Sequence, residues 1–186
     1  MSLRHGFKAS ANRLALKLRR GQGRPPEAPI DLEIIAERLE IEIVPLSSFA
    51  SKHPAAVRQL TVTDSGAFSA TTLRIDLGKR VIIHNDTHDR RRQRSNVSHE
   101  LSHVLLGHPF TYPIDSSGCR NHDRDIEDEA TWLGATILVS NEAALHIVRV
   151  GMDTEEACET YGVSQPLLRM RLNGSGAHIR ARRTYH

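Results

Sequence analysis

Residues 80–107 read RVIIHNDTHDRRRQRSNVSHELSHVLLG, a nearly continuous apolar run followed by a long segment with no helix breaker. Arg80 to Asn85 suits a strand covered on both faces, because its apolar residues fill consecutive positions instead of alternate ones. Asp86-Thr87-His88-Asp89 then offers cap residues. From Arg90 to Leu106 the residues Val97, Leu101, Val104 and Leu105 form an apolar stripe, and Gly107 supplies the stop. The stretch therefore predicts a buried strand feeding directly into a long amphipathic helix.

That helix carries His99-Glu100-Leu101-Ser102-His103. Residues four apart project from one helix face, so the imidazoles of His99 and His103 can reach a single zinc ion. Glu100 stands beside them as the candidate base for a water whose pKa the metal lowers to about 7. A catalytic zinc keeps three protein ligands, so one more is needed. The metzincin layout fails, because its glycine and histidine positions hold Leu106 and Pro109; His108 is one residue short and is expected to point elsewhere. The remaining source is the acidic run Asp125-Ile126-Glu127-Asp128-Glu129-Ala130. Glu127 shares its helical face with Ala130, Thr131 and Gly134, which are small enough for close approach to the histidine helix; Glu129 shares its face with Trp132 and Leu133. Glu127 is preferred over Glu129. The blander account is that these acids, with Asp123, charge the first turn of a helix.

Working outward, Leu60-Thr61-Val62-Thr63, Gly66 to Thr72, and Leu73 to Leu77 read as strands, with Leu77-Gly78-Lys79 as a turn. Ile41 to Pro45 adds a short strand. Helices are expected over Phe7 to Arg20, from an Asp31 cap through Leu39, and from Asp123 or Asp125 to Val139. A last helical pair is capped by Asp153 and Ser164, and the residues after Asn173 read as frayed. The expected fold is α+β: a small, mostly antiparallel sheet packed on a helical zincin-like core, with a C-terminal helical pair. The expected division is an N-terminal helix and linker over 1–28, a peptidase core over 29–145, a helix-turn-helix-like pair over 146–174, and a basic tail over 175–186.

The chain has 186 residues, 39% hydrophobic and 25% charged, which excludes disordered and collagen-like classes. No apolar run approaches the roughly 20 residues of a spanning helix, so no membrane association is expected. With no leader-like segment at the N-terminus, the expected location is cytoplasmic. Cys119 and Cys158 are too few for a disulfide scaffold and read as free thiols. The net charge is only +3, so the basic clusters at Arg19 to Arg24, Arg90 to Arg94 and Arg180 to Arg183 read as solvated surface before they read as phosphate sites.

Together these motifs resemble the ImmA/IrrE family of metallopeptidases. The likeness lies in Pro29-Ile30-Asp31, Ser65-Gly66-Ala67-Phe68, Val81 to Asn85, Arg92-Gln93-Arg94, His99 to His108, Glu127 to Val139, Val163-Ser164 and Arg171-Leu172. The resemblance implies a zinc ion held by His99, His103 and Glu127, with Glu100 as catalytic base. It further implies an intracellular endopeptidase that cuts a helix-turn-helix transcriptional repressor, in stress response or mobile-element regulation. The chain departs from the family's usual aromatic at Ser95, threonine at Asn96, asparagine at Thr131 and proline at Ser140. None of these is a ligand or the base.

Tyr112 and His122 are candidates for stabilising the transition state. The competing reading is a DNA-binding regulatory protein with a sensory or vestigial zinc site, in which Gly162-Val163-Ser164 is the turn of a helix-turn-helix and Arg169 and Arg171 contact DNA. The plainer account of that helical pair is packing on the peptidase core.

Overall fold

The structure, a computed structural model, describes residues 3–75, 78–109 and 123–183. Helix α1 (Phe7–Gly21) buries Phe7, Ala11 and Ala15, and packs along α5 (Arg124–Leu138). Its Arg19 lies on the same face and is fully buried: Nε donates to Ala28 O at 2.8 Å, and Nη2 to Ile137 O at 2.9 Å and Leu138 O at 3.2 Å. Desolvation lowers this guanidinium to about 10, which leaves it charged at neutral pH. Arg19 is thus not the solvated surface expected of its cluster, because the last carbonyls of α5 have no partner within the helix and need a donor.

The Pro- and Gly-rich stretch after α1 is pinned from several sides. Ser140 Oγ donates to Pro26 O at 2.8 Å, Tyr161 OH donates to Glu27 O at 2.9 Å, and the Gln22 side chain bonds both backbone groups of Asp31. Asp31 caps α2 (Leu32–Arg38), as expected, by accepting from Glu33 N at 2.9 Å.

The sheet contains β1 (Ile41–Pro45), β2 (Ala70–Arg74) and β3 (Arg80–His84) in the order β1-β3-β2. β3 is central, with Ile82 fully buried, as its continuous apolar run requires. β2 pairs with it antiparallel, Ala70 opposite His84 and Arg74 opposite Arg80, while β1 pairs parallel, Ile41 opposite Arg80 and Pro45 opposite His84. The α+β class holds, and the sheet is evenly mixed: between β1 and β3 the chain makes a long crossover through α3 (Pro54–Arg58) and β2, so β1 arrives in the same direction as β3.

Leu60 to Thr63, expected as a strand, forms a π-helical turn over Gln59–Thr63 that continues α3. Thr61 Oγ1 donates to Val57 O at 2.8 Å, a bond of helical spacing, and Val62 is 69% exposed, so its β-branched side chain has no sheet to cover. Among the described residues, the two strands expected across Gly66 to Leu77 reduce to the single β2, whose span is set by its pairing with β3. Asn85, fully buried just after β3, donates through Nδ2 to Leu60 O and Phe68 O and so fastens both the π-helical turn and the segment that leads into β2.

Helix α4 (Arg90–Leu106) touches α2, β2 and β3 and packs most closely on α5. After α5 come α6 (Asn141–Val150), α7 (Thr154–Tyr161), α8 (Gln165–Gly174) and α9 (Ala177–Arg183), with Asp153 and Ser164 as caps of α7 and α8. Helix α9 replaces the fraying expected after Asn173; its buried Ala177 and Ala181 seat it against α6 and α8. Cys158 is a free, buried thiol, and Cys119 lies outside the described residues. Among the described residues, no single helix is long and apolar enough to cross a membrane.

Candidate metal centre

Asp89 starts α4 by accepting from Arg92 N at 3.0 Å, and Gly107, at φ +67°, ends it. Between them the helix turns Val97, Ser98, Leu101 and Ser102 inward, which leaves His99, Glu100 and His103 on the rim of the core. Ser98 Oγ donates to Gly134 O at 2.9 Å and ties α4 to α5. At Gly134 the helices approach so closely that an added Cβ would lie 3.2 Å from the backbone of His99. This is the contact expected of the small face that Glu127 shares with Thr131 and Gly134.

The close approach sets Glu127 over both histidines. Its Oε2 lies 3.3 Å from His99 Nε2 and its Oε1 3.5 Å from His103 Nε2, while the two Nε2 atoms are 3.0 Å apart. One donor atom from each of the three residues falls within 4.8 Å of the others, a group that can hold a metal ion. The three side chains are between 19% and 35% exposed, so the cluster is anchored yet open on one side. Hydrogen bonding from His103 and His99 holds the Glu127 carboxyl well below the usual carboxylate range.

Around this cluster stand further side chains, one of which, Thr72, the sequence did not single out. Thr72 Oγ1, on β2, donates to Glu100 Oε2 at 2.7 Å. Only the strand register reveals that contact. Thr131 Oγ1 lies 3.5 Å from His99 Nδ1. His108, expected to point elsewhere, does stay out of the three-residue group, but its Nδ1 lies 3.0 Å from His103 Nδ1. Burial and the neighbouring His103 push the His108 pKa down. Glu129, the alternative third ligand, is instead paired with Arg4, Nε to Oε1 at 2.9 Å, and lies 3.7 Å from His108 Nε2.

The two arginines read as DNA contacts take no part in this cluster. Arg171, read as a DNA contact, is fully buried: Nε donates to Val139 O at 2.9 Å, Nη2 to Asn141 Oδ1 at 2.7 Å, and the guanidinium lies over the Trp132 ring. It has no surface to offer a phosphate, because α8 turns it into the core to satisfy the end of α5. Arg169 is exposed. Tyr112 and His122 lie outside the described residues.

Compared with known proteins, residues 36–173 match the peptidase family model described as the IrrE N-terminal-like domain. That span includes every residue of the cluster and well over half of the chain. No curated protein matches the sequence.

Proposed function

The chain belongs to the IrrE N-terminal-like family of peptidases, and from that membership and the convergence of His99, His103 and Glu127 we propose that it is a zinc-dependent endopeptidase. Two imidazole nitrogens and a carboxylate are a donor set that zinc accepts, and with bonds of about 2.0–2.1 Å a tetrahedral ion spaces its ligands about 3.3 Å apart. The separations of 3.0, 3.3 and 3.5 Å among the three donor atoms support this fit. When bound, the ion supplies Lewis acidity, polarising the scissile carbonyl and acidifying water.

Glu100, on the same helix face, takes the proton from the attacking water and delivers it to the departing amine. Thr72 holds the Glu100 carboxylate through Oε2, leaving Oε1 for the water. As a peptidase the protein acts on a polypeptide, and we assign it a helix-turn-helix repressor, following the resemblance read from its motifs. The DNA-binding alternative has lost Arg171 to the core and rests on Arg169 alone.

The deciding experiment measures zinc content and proteolysis of a candidate repressor side by side. Wild type is expected to carry about one zinc, with the ion lost in His99→Ala. Glu100→Gln is expected to keep the metal while turnover falls by about 10²–10⁴. Full proteolysis by Glu100→Gln would remove Glu100 as the base. Salt-sensitive duplex binding lost in Arg169→Ala, without any proteolysis, would favour the DNA-binding alternative.

A further inference from the structure

Helix α4 closes with a pair of backbone bonds in which Gly107 N donates to Val104 O at 3.1 Å and His108 N donates to His103 O at 3.0 Å. This is a Schellman turn, and it lays the residue after the left-handed glycine against the residue five positions earlier. That side-chain contact is usually apolar. Here it is imidazole on imidazole, with ring centroids 5.1 Å apart and Nδ1 facing Nδ1 at 3.0 Å. Between two neutral imidazoles at this distance, one nitrogen must donate and the other accept.

Glu129 decides which does which. The far nitrogen of His108, Nε2, lies 3.7 Å from Glu129 Oε2, an electrostatic contact, and Arg4 holds the other Glu129 oxygen at 2.9 Å. The His108 and Glu129 side chains are only 9% and 12% exposed, so water screens the interaction poorly. A carboxylate there favours a proton on Nε2 of His108. His108 Nδ1 is then the acceptor, and His103 must carry its own proton on Nδ1.

We propose that His108 and Glu129 are positioning residues for the metal ligand His103, fixing its proton on Nδ1 so that the lone pair of Nε2 faces the point shared with His99 and Glu127. The proposal rests on the metal-site reading above. It gives Glu129 and His108 a joint role outside the ligand shell, and it ties the segment before α1 to the centre through Arg4. Outer partners of this kind set both the tautomer and the basicity of a ligating imidazole, and their loss typically weakens metal affinity by about 10–100-fold.

The test is zinc affinity of the full chain, read by competition with a chromophoric chelator, with thermal unfolding in excess chelator as a check on folding. His108→Ala is expected to bind zinc at least about tenfold more weakly. His108→Asn places an amide oxygen where Nδ1 stood and is expected to recover most of that loss. Glu129→Gln is expected to weaken zinc binding in the wild-type background and to add nothing to His108→Asn, since it acts through the histidine. The proposal is overturned if folded His108→Ala binds zinc as tightly as wild type, or if folded His108→Asn is as weak as His108→Ala. Failure of the metal-site reading looks different: wild type would bind no zinc, or His99→Ala would bind it unchanged.

Discussion

Thr72 reaches Glu100 from a neighbouring strand, and its single 2.7 Å hydrogen bond fixes the direction in which the candidate base presents its second oxygen. Thr72→Val keeps the shape and removes the donor. Turnover should fall about tenfold or more while zinc affinity stays at the wild-type value, because the ligands are untouched. In the metal-free chain, Glu127 gives a second readout. Its carboxyl is depressed by the two histidines, so it adds stability that is present above the usual carboxylate value of 4.5 and is lost as pH falls below it. Glu127→Gln should flatten that loss in thermal unfolding scans run with chelator. At this scale His99, Glu100 and His103 were legible because one helical turn fixes them relative to each other. Thr72 was not, because its contact depends on strand register, and His108 was not, because the reversal at Gly107 carries it back over the helix end.

The pairing of α4 with α5 is the element on which the centre depends, and its tightest point is Gly134 against the backbone of His99. Gly134→Val would force the two helices apart, since neither backbone can yield as a flexible side chain would. The expected cost is roughly 1–3 kcal/mol of stability. Zinc affinity should fall with it, because Glu127 and the histidines sit on opposite sides of that contact. The small face of α5 could be read from Ala130, Thr131 and Gly134, and so could the long helix with its cap at Asp89 and stop at Gly107. The strands were harder. β-branched residues at Leu60 to Thr63 have strand propensity, but Pro54 begins a helix that runs on through them, and propensity yields to that context. The parallel direction of β1 was hidden for a similar reason: strand direction is a property of the crossover, not of the five residues that form the strand.

Across the whole molecule, two buried arginines serve the same stretch of backbone from opposite sides. Arg19 of α1 takes the carbonyls of Ile137 and Leu138, and Arg171 of α8 takes that of Val139. Arg171→Met should therefore destabilise the fold by about 1–3 kcal/mol for each acceptor it orphans, measured by chemical unfolding, and should leave zinc binding intact in the folded fraction. Helix α1 lies outside the stretch that the peptidase family model matches, which starts at residue 36. Yet Phe7, Ala11 and Ala15 fill the core, and Arg19 closes the end of the helix that carries Glu127. A fragment cut at residue 36 would keep all three proposed ligands and the base, and should still collapse into an aggregation-prone state, visible as a lost cooperative melt. On that outcome the smallest piece that can fold is longer than the piece that can be recognised, and the recognisable domain is an unsafe guide to where the gene can be trimmed.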